Sequence, residues 1–157
     1  MDFLINVTPV GKGRPRVSSR GGFARMYTPK KTSDFETLVR NQVIKTMTDN
    51  NWQMFGEDIP LIVELYLYFP MSKSLSKKKK IDLKNKYHTK KPDVDNVIKA
   101  VLDACNEVVY YDDSQIVTIT SVKRYVDDIE RDTGLISMRV MQAPEQLSIF
   151  ESGAENA

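Results

Sequence analysis

Lys91-Pro92-Asp93-Val94-Asp95-Asn96-Val97-Ile98-Lys99-Ala100-Val101-Leu102-Asp103-Ala104-Cys105-Asn106 decides how this chain folds. Val94, Val97, Ile98, Val101, Leu102 and Cys105 recur at the spacing of one helix face, which predicts a helix from about Asp95 to Asn106. The opposite face holds Asp95, Lys99 and Asp103. Lys90, Lys91 and Pro92 disfavour helix, so Asp93 lies in an extended lead-in. A helix with one apolar face must bury it against other elements.

Those elements lie on either side. Leu61, Val63, Leu65, Leu67 and Phe69 alternate with Glu64, Tyr66 and Tyr68, a long strand that stops at Pro70. Residues 115–125 and 133–141 read as two closing strands, joined by the acidic loop Asp127-Asp128-Ile129-Glu130. Phe3, Ile5 and Val7 alternate with Asp2, Asn6 and Thr8 as an opening strand. Residues 16–27 read as a basic hairpin turning at Arg20-Gly21-Gly22. Ser33-Asp34-Phe35-Glu36 has the form of a capping box, which predicts a helix carrying Phe35, Leu38, Val39, Val43 and Met47. Residues 72–92 predict a short basic helix and then the lead-in. Strands and helices interleave without a regular βαβ rhythm. The expected class is α/β, or mixed α+β: a compact single domain with a mixed β-sheet and two main helices. The domain spans residues 1–141, and the polar, proline-marked residues 142–157 read as a tail.

The chain has 157 residues, 41% hydrophobic and 28% charged, enough for one globular core. Its net charge of +2 conceals a segregation. Residues 11–31 hold seven Lys/Arg and no acid, and residues 72–92 hold nine Lys against one Asp, so the remainder is strongly acidic. Two basic segments on an acidic body point to a polyanion gripped at defined places. Cys105 is the one cysteine, so no internal disulfide forms, which fits a reducing cytoplasm. Its place on the apolar helix face makes it a core residue, not a nucleophile. His88, the one histidine, cannot build a zinc site and is expected at the surface or facing DNA. The N-terminus lacks a signal-peptide pattern and no apolar run has the length of a membrane span.

The candidate chemistry sits in the carboxylates. Asp93 and Asp95 are two apart, so in extended chain they point the same way and can share one ion. A helix N-terminus also favours the negative charge of Asp95. Lys99 lies one turn after Asp95, placed to steer a phosphate or to stabilise developing charge. Asp112 or Asp113 reaches the same ion if the chain doubles back after the helix. Oxygen-only ligands suit Mg²⁺, with Mn²⁺ as a substitute, rather than zinc or copper. An acidic cation site between basic segments is what cutting a phosphate backbone requires. The plainer alternatives are a helix cap for Asp95, a turn for Asp112-Asp113 and an ion pair for Lys99.

KPDVDNVIKAVLD (residues 91–103), then YYDDSQI (110–116), then VKRY (122–125) resemble the RusA family of Holliday-junction resolvases. The GKGRPR segment and Tyr27-Thr28-Pro29 are also similar to it, and the likeness covers about residues 5–140. The resemblance implies a compact α/β homodimer that cuts four-way DNA junctions with Mg²⁺. By matching positions it implies Asp93, Asp95 and Asp113 as metal ligands, Asp112 as an auxiliary, and Lys99 as the lysine that supports catalysis. Lys12, Arg14, Arg16, Arg20, Arg25, Lys30 and Lys31, with Lys77, Lys78, Lys79, Lys80, Lys90 and Lys91, would then hold branched DNA through its phosphates. Tyr87, Tyr110 and Tyr111 could stack on unpaired bases at the crossover, against ordinary packing as the alternative. The expected location is the bacterial or phage-infected cytoplasm, at the nucleoid. The runner-up function is a non-catalytic junction-binding or clamp-associated module, and a third is a hydrolase of small phosphates.

The tail carries a separate signal. Gln146-Leu147-Ser148-Ile149-Phe150 resembles the bacterial sliding-clamp binding motif, with Ile149 in place of a leucine. Such peptides bind as linear segments, the apolar residues filling a pocket while glutamine makes polar contacts.

Overall fold

The computed structural model describes residues 1–18 and 24–145. In chain order it contains β1 (Asp2–Ile5), β2 (Arg16–Ser18), β3 (Arg25–Tyr27), α1 (Lys30–Asp49), β4 (Leu61–Phe69), α2 (Lys77–Leu83), α3 (Val94–Cys105), β5 (Ile116–Tyr125) and β6 (Leu135–Gln142). Four strands form one sheet in the order β1-β6-β4-β5. β4 runs parallel to β5 and antiparallel to β6, and β1 runs antiparallel to β6. The sheet is therefore mixed, as the interleaved sequence implied. Adjacent parallel strands require a crossover, and the segment carrying α2 and α3 supplies it. β2 and β3 pair separately as the expected hairpin, whose turn lies outside the described residues.

Leu61, Val63, Leu65, Leu67 and Phe69 are all buried, every second residue of β4. They form one core with Phe3 and Ile5 of β1, Ile136, Met138 and Val140 of β6, Val39 and Val43 of α1, and Val97, Val101 and Cys105 of α3. Full burial of each such aliphatic side chain stabilises the fold by about 1.5–3 kcal/mol. The row on β4 thus fixes the sheet against α1 and α3. Cys105 lies in this core, where burial pushes its thiol up to about 12, so it is not the nucleophile of anything.

Several elements depart from the sequence expectation. α1 starts at Lys30, a turn before the capping-box signal, and Ser33 falls inside its first turn. Pro29 sets the entry: its carbonyl accepts the N–H groups of Thr32 and Ser33. Thr32 is buried and accepts the Gly13 N–H through Oγ1. Glu36 pairs with Lys12 instead of capping the helix. Leu38 and Val94, placed on apolar faces by spacing, are exposed. β1 ends at Ile5, although Val7 is still buried. Thr8 instead accepts the Gly134 N–H, and a Cβ at Gly134 would lie 2.5 Å from Tyr68 O and 2.7 Å from Thr8 Cα. Only glycine allows these two backbones to approach that closely. The domain also outlasts its expected edge, since Ala143 is buried and its N–H donates to Pro60 O at 2.8 Å. Gln146–Phe150 lies outside the described residues.

Candidate active site and nucleic-acid interface

Asp93 takes the N-cap position of α3 with extended backbone, but its side chain caps nothing. Its carbonyl accepts the Val97 N–H, which starts the helix, while Oδ2 accepts from Lys91 Nζ at 2.8 Å. That pair is solvent-exposed on both sides, so it is weak and exchangeable. Asp95 stands in the first turn of α3, exposed and without an ion pair to any described residue. Lys99, one turn on, is likewise exposed and makes no ion pair with a described residue. The capping and pairing alternatives therefore do not account for Asp95 or Lys99. Two exposed carboxylates at the positive end of a helix, one of them in a weak exchangeable ion pair, are a hard-oxygen donor pair, which fits a divalent cation such as Mg²⁺ or Mn²⁺.

The GKGRPR segment is tied to this place. Lys12 N–H donates to Asn96 O at 2.9 Å, and a Cβ on Gly11 would lie 2.9 Å from Pro92 Cβ, so glycine permits the close approach. A cleft of about 680 Å³ results, lined by Gly11, Arg14, Arg16 and Lys31 on one wall and by Lys91, Pro92, Asp93 and Asn96 on the other. Cations from both basic segments thus face one carboxylate of the candidate site.

The other expected DNA-binding residues divide. Lys30 and Lys90 are exposed, as are Lys77, Lys78 and Lys79 on α2. Lys80 turns inward and donates to Ile129 O at 3.4 Å. Lys12 is a correction: its ammonium binds Glu36 of α1 and Asp103 of α3 and is only 24% exposed, so it holds protein to protein. Burial lowers its pKa, but the hydrogen bonds to Asp103 and Glu36 outweigh that and leave it raised. Arg25 lies on β3, and Arg20 lies outside the described residues.

Asp112 and Asp113 also separate. Hydrogen bonds from Ser114, its side chain first and then its backbone N–H (2.9 Å to Oδ1), lower the pKa of Asp112, and Gln115 Oε1 accepts the Asp112 N–H at 3.3 Å, a capping box on the 3₁₀ turn Asp113–Gln115. Gln115 Nε2 donates onward to Gly56 O and Ile59 O. Asp112 is thus engaged in the turn, and Asp113 is the freer carboxylate. The chain does double back after α3, but alongside its C-terminal half: Tyr110 Oη donates to Leu102 O at 3.0 Å. At 1.5 Å per residue, Leu102 stands about 10 Å along the helix from Asp95. Among the described residues no three His, Cys, Asp or Glu side chains gather into a cation cage.

The aromatic expectations are corrected in two places. Tyr110 is fully buried, burial pushing its phenol far up, so it packs and cannot meet a base. Tyr87 and Tyr111 stay exposed, Tyr87 with the Arg124 guanidinium 4.9 Å from its ring centre. His88 does not face solvent as a free surface residue. It stacks on Phe69 at 4.1 Å and meets the edge of Tyr125, and burial, then Lys123 and Lys90, lower its pKa.

Lys123 escaped the sequence reading. It shares a strand face with Ser121 and Tyr125, and a lysine on a face that turns buried at Tyr125 is the signal that could have found it. Its Nζ donates to Lys90 O and to Pro92 O, each at 2.6 Å, directly behind Asp93.

Residues 6–131 match the model of the family Endodeoxyribonuclease RusA. The uncharacterized protein YqaN of Bacillus subtilis (strain 168) is 35% identical over 130 residues, covering 80% of this chain and 88% of that one. Fold, basic cleft and family match together define the class, a DNA-cutting enzyme. The chain belongs to the RusA endodeoxyribonuclease family. No helix among the described residues is long and apolar enough to cross a membrane.

Proposed function

We propose that this protein resolves four-way DNA junctions in recombination and repair by paired symmetric nicks that depend on Mg²⁺, with Mn²⁺ as a substitute. The observation that carries the reading is the pair Asp93 and Asp95: exposed carboxylates, free of capping, one of them in the wall of a cation-lined cleft. Asp93 and Asp95 would hold the ion, with Asp113 as the third ligand once the assembled dimer brings it to them, and Asp112 an auxiliary at most because its carboxylate caps a turn. A divalent ion held there would supply Lewis-acid stabilisation of the scissile phosphate and would make the attacking water more acidic. Lys99, without an ion pair among the described residues and on the same helix face as Asp95, orients the phosphate and stabilises charge that develops on it. Arg14, Arg16, Lys31 and Lys91 grip the backbone in the cleft, and Lys77, Lys78 and Lys79 hold an arm further out.

A homodimer belongs to the same reading, because two symmetric nicks need two sites. That no third carboxylate gathers with the Asp93–Asp95 pair among the described residues of one chain supports it further, since a second protomer can bring one. Mixing Asp95→Asn and Asp113→Asn chains separates the cases. Shared sites regain one working centre per mixed dimer and nick the junction, whereas unshared sites stay silent. Gln146–Phe150 adds delivery to replicating or repaired DNA by a bacterial sliding clamp. Equal clamp capture by the native chain and by a Gln146→Ala/Phe150→Ala variant would end that part.

The deciding experiment is cleavage of a synthetic four-way junction, with linear duplex as control, in Mg²⁺ and in EDTA. Paired nicks lost in EDTA and in Asp95→Asn, with junction binding retained by the variant, are the expected result. Wild-type cutting by Asp95→Asn overturns the ligand assignment. Tight binding without cutting by the native chain favours the junction-binding module instead.

A further inference from the structure

We infer that Lys123 is the positioning residue of this site: its ammonium clamps the turn that aims Asp93. The inference rests on reading Asp93 as a cation ligand.

The lead-in to α3 runs beside β5 and is held to it in steps. Tyr125 N–H donates to Lys86 O at 2.9 Å, and His88 N–H donates to Lys123 O at 3.0 Å. Beyond His88 this ladder stops. Over residues 89–92 the backbone has no other hydrogen bond to a described residue than the two made by Lys123 Nζ, to Lys90 O and Pro92 O at 2.6 Å each. One ammonium therefore spans the two carbonyls that bracket Lys91 and Pro92, immediately before Asp93. Its own place is fixed, because Lys123 is anchored in β5 and its Nζ lies 5.5 Å from the centre of the Phe69 ring. Phe69 is buried and stacked on His88, so this floor is rigid. A half-buried ammonium gains from each carbonyl it meets, and the carbonyls lose their bonds if it goes.

Charge and position act in opposite directions here, which makes the inference testable. Lys123 also lies close enough to Asp93 to feel its charge. A lysine that acted only as a nearby charge would repel a cation, so its removal would tighten metal binding. A lysine that positions Asp93 does the reverse, and its removal loosens metal binding, as with other groups that orient ligands.

The experiment is Mn²⁺ titration of the full chain without DNA, by electron paramagnetic resonance, with junction binding in EDTA measured in parallel. Lys123→Met should weaken Mn²⁺ binding about tenfold to a hundredfold. Its junction affinity in EDTA should fall by no more than about threefold, because only Lys91 of the cleft cations sits on the clamped turn, while Arg14, Arg16 and Lys31 are untouched. Lys123→Arg, which can still donate to both carbonyls, should return Mn²⁺ binding to within about threefold of the native value. Unchanged or tighter binding by folded Lys123→Met overturns the inference and leaves the ligand assignment standing. If Lys123→Met does not fold, Lys123→Gln, which reaches one carbonyl, decides: weaker binding by about threefold or more supports the clamp and unchanged binding overturns it. A native chain that binds no Mn²⁺ overturns the ligand assignment itself, and the inference with it.

Discussion

Replacing Lys12 with methionine separates a structural lysine from a DNA-binding one. The stem is kept and the ammonium is lost, leaving Glu36 and Asp103 facing each other without their shared cation. Each bond is charge-assisted and would be worth about 1.5–3 kcal/mol if fully buried. The side chains are 24%, 23% and 26% exposed, so solvent screens part of this and about 2 kcal/mol for the pair is a fair discount. In a domain of this size that lowers the melting temperature by about 4–8 °C. The assay is thermal unfolding beside a salt titration of junction binding. A lysine that contacts phosphate would reduce the salt slope by about 1 with little change in melting temperature. A lysine that ties the GKGRPR segment to α1 and α3 lowers the melting temperature and leaves the slope unchanged. Unchanged stability with a reduced slope would refute the reasoning and return Lys12 to the DNA contacts.

Gly134→Ala should destabilise by about 2 kcal/mol in denaturant unfolding, because the new Cβ meets the backbone of Tyr68 and Thr8, which cannot yield as a side-chain tip would. His88 has a lowered folded pKa, so the unfolded chain takes up its proton first as pH falls below about 6.5. Its contribution to stability is present above that pH and is lost below it. His88→Phe, which keeps the stack on Phe69, should therefore show a shallower loss of melting temperature between pH 7 and pH 5 than the native chain. Replacing Lys77, Lys78, Lys79 and Lys80 together with alanine should weaken junction binding alike on all sequences, with Lys80 adding least because it is bonded to Ile129 O. A loss confined to one sequence would contradict a phosphate-holding role.

What was legible in the sequence was whatever local periodicity determines. β4 alternates so strictly, and α3 repeats its apolar residues so regularly, that both elements lie within a residue or two of their expected bounds. The mixed class followed from their order. What was not legible depends on partners distant in sequence. Ser33 and Glu36 carry a sound local capping signal, but Glu36 is drawn to Lys12 and the entry at Pro29 starts the helix earlier. Lys12 and Arg14 look alike in a basic run, and only the approach of α1 and α3 distinguishes them. Tyr110 and Tyr111 are neighbours, yet one fills the core and the other stays exposed, because the chain turns between them. Of the candidate site, the placement of Asp93 just before α3 and of Asp95 in its first turn was readable from spacing. The clamp by Lys123 was not, since it requires knowing that β5 passes beneath the lead-in.

The place of β6 has a consequence for how the enzyme comes into being. This strand lies between β1 and β4, so the first strand of the chain has no partner until Leu135–Gln142 exists. Contacts of such long sequence separation form late, and a chain still on the ribosome carries β4 with one flank open. An unfinished copy therefore cannot assemble the sheet that supports α3 and its carboxylates. The sheet beneath the candidate site is therefore complete only once Leu135–Gln142 has been made.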